Sequence, residues 1–459
     1  MFHALKSRWH SPSGYKEILV LAIPLIVTTS AGSLQSFIDR VFLSWFDSNA
    51  LAATVPAAMV SMSFTAVFLG LASYIGVFVA QYYGAREHAR IGALVWQGFY
   101  TIGLSLLVVV PIYIYIVPLF ELIGHDPILQ VMEANYARII ILTIPIAIIS
   151  ASLSGFFSGI GRTSVVMWSN LLITLLNIAL DYGLIFGHWG LPRMGVAGAA
   201  WATVIALSAG TFTQLWVFFI PSHRKVYNSL SDWRFDGPLF RRLLRFGLPV
   251  GLQAQMQMLA WTLFVLLIGK IGIAALTAHS IAMNVFMLMV MPVMGMSIAV
   301  SVLVGQRLGA GDTGSAERVT YSAIHLSLLF FVVAGLMLVT QPNWFIAPFV
   351  QGMTPEVYAS TIPLVKDLLT VVAMFCVFEA ASMMMAGALK GAGDTHFVAW
   401  AGILCSWLVL VLPTALLAYF WHGNLLWSWL FFLLSGFTMC LVHWLRFRTA
   451  KWKLLRVTA

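Results

Sequence analysis

Val79-Ala-Gln81-Tyr-Tyr-Gly84-Ala85 returns later in the chain as Val304-Gly-Gln306-Arg-Leu-Gly309-Ala310, displaced by 225 residues. At the same displacement Pro24 meets Pro249 and Leu51 meets Leu276. Further along, Gly155, Gly159, Gly161 and Thr163 meet Gly387, Gly391, Gly393 and Thr395 at a displacement of 232. Two stretches aligned in this way mark a duplication, and the apolar runs between them say what was duplicated. From Tyr15 to Trp444 the chain repeats runs of about 20 apolar residues, the length a helix needs to cross hydrocarbon. No backbone polar group can stay unpaired in lipid, so each run is read as a helix.

Composition agrees. With 61% hydrophobic and 9% charged residues and a mean hydropathy of +0.93, the 459 residues have too little polar surface to cover a water-soluble particle, since soluble domains carry about 25% charged residues. Breaks at Gly, Pro and charge clusters predict twelve spans, near 15–45, 51–83, 91–119, 130–160, 163–187 and 194–220, then 238–269, 273–308, 319–340, 355–389, 396–420 and 424–445. The reading is an N-terminal lobe over 1–220, a cytoplasmic linker over 221–237, a C-terminal lobe over 238–446 and a basic cytoplasmic tail over 447–459. The first run starts near Tyr15 and is followed at once by a second, so it is expected to serve as the targeting element itself.

Of the 25 Lys and Arg residues only Arg40, Arg138, Arg193, Lys270 and Lys366 fall on the far side of the membrane or within it. That bias places both termini in the cytoplasm. It also accounts for the net charge of +9 through topology, so a nucleic-acid partner is not expected. The displacement passes over six spans, an even number, so equivalent helices point the same way. The expected fold is an all-α integral membrane protein of two six-helix lobes related by a pseudo-two-fold axis along the membrane normal. Parallel lobes that rock against each other are the architecture of alternating access. A channel more often draws its pore from several subunits, and a monomer is expected here.

Ionisable side chains inside a span are costly and therefore point to function. Asp39, Asp181, Glu379 and His279 are the deep ones. Asn177 and Asp181 share a helical face, four residues apart, and oxygen ligands of that kind suit a hard cation such as Na⁺; the carboxyl alone suits a proton. Asp39 completes the set from the first span and Thr203 from the sixth. Glu379 lies near mid-membrane, with Asp367 twelve residues before it, and serves as a proton carrier, a cation ligand or an anchor for cationic substrate. Gln253, Gln255 and Gln257 offer hydrogen bonds to a substrate or to a facing helix. His279 is read as a relay or as an interhelical partner, and the methionine-rich stretches as adaptable apolar surface. Cys376, Cys405 and Cys440 share no metal-ligand spacing and read as packing residues. No phosphate loop and no His-Glu-x-x-His is present, so neither an enzyme nor an ATP-driven pump is expected, and no cofactor beyond the coupling ion.

The chain resembles the multidrug and toxic compound extrusion (MATE) family. The resemblance rests on Ser158-Gly-Ile-Gly161-Arg-Thr163, Asn177-Ile-Ala-Leu-Asp181-Tyr, Gly195-Val-Ala-Gly198-Ala-Ala-Trp-Ala-Thr203, Ala278-His-Ser-Ile-Ala-Met-Asn284 and Gly387-Ala-Leu-Lys-Gly391-Ala-Gly393-Asp-Thr395, and it covers nearly the whole chain. It implies export of organic, often cationic and amphipathic compounds across the inner membrane, driven by Na⁺ or H⁺. It further implies a cation site at Asp39, Asn177, Asp181 and Thr203, with Asp39, Asn177 and Asp181 as ligands if the ion is Na⁺. The aspartate at 181 looks like the DinF-like branch, where NorM-like members often have asparagine. Glu379 falls where NorM-like members have a functional aspartate, and Gln257 replaces their seventh-helix glutamate. The resemblance therefore favours coupling in the N-terminal lobe and leaves substrate or proton binding to Glu379, with Gln257, Gln253 and His279 beside it. Arg40 next to Asp39 is unusual for the family. An alternative in the same superfamily is a lipid-linked oligosaccharide flippase, against which twelve spans and few buried basic residues speak.

Overall fold

Helices form wherever the apolar runs demand them. The computed structural model describes residues 9, 13–124, 126–350, 354–420 and 423–457, and among these no residue lies in a strand. Lys6 and Arg8, counted with the basic side, lie outside the described residues. Among the described residues twelve helices are long and apolar enough to cross a membrane: α1 (Tyr15–Phe46), α2 (Pro56–Gly84), α3 (Arg90–Leu122), α4 (Leu129–Gly159), α5 (Thr163–Phe186), α6 (Val196–Phe218), α7 (Gly237–Gly269), α8 (Ile273–Gly309), α9 (Thr313–Thr340), α10 (Pro355–Ala392), α11 (Thr395–Phe420) and α12 (Leu425–Arg448). The protein is a multi-pass membrane protein.

Several boundaries differ from the apolar runs for local reasons. The helix of α9 begins at Thr313 rather than 319, because Asp312 caps it by accepting from the Ser315 amide at 2.9 Å, as a side-chain oxygen does for an orphan donor of the first turn. Pro111 and Pro118 do not end α3; the helix bends at Tyr115 (φ −97°, ψ 15°) instead. Residues 221–237 are not all irregular, since Pro221–Tyr227 forms a short helix. Nor does the basic tail hang free. Trp452 is fully buried, stacks on Phe447 at 4.9 Å and donates its indole N–H to the Phe447 carbonyl at 2.9 Å.

The chain forms two compact units whose edges fall inside helices. Among the described residues one runs to Ile26 and takes in Gln253–Arg456, and the other takes in Val27–Leu252 and Val457. The lobe edges read at 220 and 238 thus do not coincide with the units. Each edge follows a proline inside a helix, Pro24 in α1 and Pro249 in α7, the pair matched by the duplication.

Within each unit the same glycines make the same crossing. In the first-half unit α2 meets α4 with backbones nearly touching: a Cβ on Gly155 would sit 2.8 Å from the Gly76 amide nitrogen. In the other unit α8 meets α10 where a Cβ on Gly387 would sit 2.7 Å from the Ser297 carbonyl oxygen. Both helices then end in a left-handed glycine, Gly161 at φ +79° and Gly393 at φ +102°, a conformation that costs side-chain-bearing residues free energy.

Candidate functional site

In the first-half unit, Gly198 decides how closely α6 approaches α5. A Cβ there would lie 2.6 Å from the Leu184 carbonyl oxygen, so glycine permits near-contact of the backbones and sets Thr203 against Asn177. The Asn177 amide is 3.4 Å from Thr203 Oγ1 on one side. On the other it faces acids: with its nitrogen turned to them, the orientation that satisfies the network, it donates to Asp39 Oδ1 at 2.9 Å and to Asp181 Oδ2 at 3.3 Å. The same nitrogen lies 3.1 Å from the side-chain amide of Gln35. Asp39 and Asp181 also hydrogen-bond each other.

The structure thus brings together Asp39, Asn177, Asp181 and Thr203. It adds Gln35, one turn before Asp39, and Tyr136 of α4, which lies within electrostatic reach of both carboxyls. Arg40 is exposed and makes no ion pair with Asp39 among the described residues. Asn177 and Asp181 have no solvent exposure, and Asp181 Oδ1 has no hydrogen-bond partner among the described residues. Above the set, Phe42, Tyr182 and Phe186 pack with centroids 5.7–6.1 Å apart, and Tyr182 stacks on His188 at 4.6 Å. Two carboxylates at hydrogen-bonding distance repel strongly unless a proton or a cation lies with them. The set can therefore hold either.

The second candidate set divides. Glu379 on α10 is half-buried, and no hydrogen bond or ion pair engages its carboxyl among the described residues. Cys376 of α10, Cys405 of α11 and Cys440 of α12 all lie within its electrostatic reach. Sequence spacing offered no reason to group three cysteines carried by three helices. Among the described residues no group of three or more His, Cys, Asp or Glu has a metal-holding geometry.

Gln257 accepts from Ser406 Oγ at 2.9 Å, and Gln253, one turn earlier, lies against Gly402, one turn before Ser406. Trp407 donates to the Met256 carbonyl at 3.3 Å. Ser406 and Trp407 belong to a wide π-helical segment, Cys405–Val411, inside α11, a feature frequent at functional sites, and Gly402 lies just before it. His279 is placed apart. Its ring is 1% exposed between Phe264 and Trp429, each 5.5 Å away, and neither ring nitrogen has a partner among the described residues.

Comparison with known proteins agrees with this architecture. The family model MatE matches residues 24–183 and again 249–417, two stretches that begin at the duplicated prolines. The chain is 28% identical over 391 residues to the multidrug resistance protein NorM of Burkholderia vietnamiensis, covering 84% of this chain and 83% of that one. It is 27% identical over 403 residues to the multidrug resistance protein MdtK of Cronobacter sakazakii, covering 87% and 86%. Its fold matches a multidrug resistance MATE family transporter of the MOP superfamily in an outward-facing conformation, at TM-score 0.84, 21% identity and 97% of both chains. A MOP superfamily transporter from Pyrococcus furiosus matches at TM-score 0.84, 22% identity and 98% of both chains. Matched over most of its length in two successive copies, the chain belongs to the MatE family.

Proposed function

We propose that this protein is a multidrug efflux transporter of the inner membrane, exporting amphipathic, often cationic organic compounds in exchange for an inward-moving Na⁺ or H⁺, by alternating access of its two lobes. The relatives named for multidrug resistance support the efflux reading. One observation carries the coupling reading: Asp181, without exposure and with one oxygen unpartnered, shares a hydrogen bond with Asp39 and the amide of Asn177. A buried carboxyl pair is stabilised by a proton or cation that offsets its charge, and the neighbouring amide and hydroxyl supply further oxygen ligands. The cation enters at Asp39, Asn177, Asp181 and Thr203, and substrate or a proton binds near Glu379 in the other unit.

The test is transport in proteoliposomes with Na⁺ and H⁺ gradients imposed separately. Efflux of ethidium or norfloxacin follows one gradient and stops when it is dissipated. Asp181→Asn inserts normally and loses coupled transport; gradient-driven transport by that variant at the wild-type rate overturns the assignment.

A further inference from the structure

The N-terminal end of α7 presents charge that the transport cycle above does not use. Arg241, Arg242 and Arg245 line a cavity of about 550 Å³ together with Pro238, Leu244 and Leu248. All six belong to the first-half unit. Arg241 and Arg245 are exposed, and neither forms an ion pair among the described residues. The two acids of the preceding segment are already engaged. Asp236 accepts from the Leu239 amide at 3.0 Å, and Asp232 accepts from the Asn228 side chain at 3.3 Å.

Just before the arginines, Trp233 and Phe235 are 57% and 59% exposed. The Tyr100 hydroxyl donates to the Trp233 carbonyl, and the Tyr100 and Phe235 rings pack at 5.6 Å. Aromatic rings held open at the end of a span lie at headgroup depth. The positive charge, the apolar floor of Leu244 and Leu248, and the interfacial depth therefore coincide in one place. A free phosphate fits only the first of the three, and a solvated protein surface fits neither of the other two.

We infer that this cavity binds the headgroup of an anionic phospholipid, its phosphodiester on Arg241, Arg242 and Arg245 and the start of its acyl chains on Leu244 and Leu248. Guanidinium groups match phosphate oxygens in bidentate fashion, and basic pockets at the ends of spans recognise such headgroups. The charge bias of the sequence assigns this end to the cytoplasmic leaflet.

Native mass spectrometry of the intact protein with phosphatidylglycerol against phosphatidylethanolamine tests the inference. Wild type retains phosphatidylglycerol preferentially, and the preference falls about fivefold for each arginine neutralised, hence about a hundredfold in R241Q/R242Q/R245Q. Should the triple variant fail to fold, R245Q alone still shows the fivefold loss. Unchanged preference in R245Q and in the triple variant overturns the inference, as does complete displacement of the lipid by millimolar inorganic phosphate.

Discussion

Inside a span an ionisable side chain is costly, so the burial of Asp181 beside Asp39 and Asn177 marks a position retained for function. Asn177 and Asp181 were legible as a pair because charge and amide stand out in an apolar run and i, i+4 spacing fixes a face, and the family resemblance set Asp39 and Thr203 with them. Gln35 was not, because a neutral amide is common in spans and only the packing of α1 on α5 turns it toward the acids. Gln35→Leu is expected to raise the cation concentration at half-maximal coupling by about tenfold, the worth of one hydrogen bond, with expression unchanged; cation titration of vesicle transport measures it. Glu379→Gln is expected to narrow the range of exported cations or to flatten the pH profile of efflux, and a substrate panel assayed across pH reads both. An unchanged profile on both counts removes Glu379 from the cargo site.

Elements meet where glycine lets them. Gly155→Val, at the crossing of α2 and α4, is expected to lower stability by about 1–3 kcal/mol through overpacking. Gly103→Ala, on α3 where a Cβ meets nothing within 4 Å, is expected to be neutral or to stabilise by up to about 1 kcal/mol. Thermal unfolding of the purified variants in detergent separates the two cases. The short helix after α6 adds a pH term. The His223 Nδ1–H donates to the Val217 carbonyl at 2.7 Å, while Nε2 accepts from Arg162 at 2.9 Å. Burial holds the His223 pKa below its ordinary 6.5, the nearby Arg162 charge adding to the effect and the Val217 bond opposing it. A lowered histidine pKa contributes stability that is complete above the unfolded value and is lost as pH falls from about 6.5 toward the folded value. The stability of wild type should therefore decline over that interval, and H223Q should flatten the slope in melts from pH 7.5 to pH 5.5.

Across the whole molecule the duplication is unequal. Asp39 and Gln35 fall opposite Phe264 and Ala260 at the displacement of 225, and both of those are fully buried. Asn177 and Asp181 fall opposite Val409 and Pro413, or Leu410 and Thr414 once the extra residue of the π-helical segment is counted. Neither alignment puts a carboxylate at these positions of the second copy, which supports the proposed division of coupling and cargo between the copies. Asp181→Asn should abolish the cation dependence of transport, while Glu379→Gln should leave the half-saturating cation concentration unchanged and change only the substrate range or the pH profile; paired titrations of both variants check this division. Spans, duplication and family were readable because hydrocarbon tolerates few alternatives to an apolar helix. The unit edges within α1 and α7, the π-helical segment and the buried Trp452 were not, since each depends on contacts between residues far apart in the chain. The gathering of all three cysteines near Glu379 turns the native protein into its own reporter. Cys376 and Cys405 are buried and Cys440 only half-buried, so a maleimide has a single neighbourhood to label, and the proposed placing of cargo near Glu379 predicts that a bound drug slows that labelling without any engineered probe.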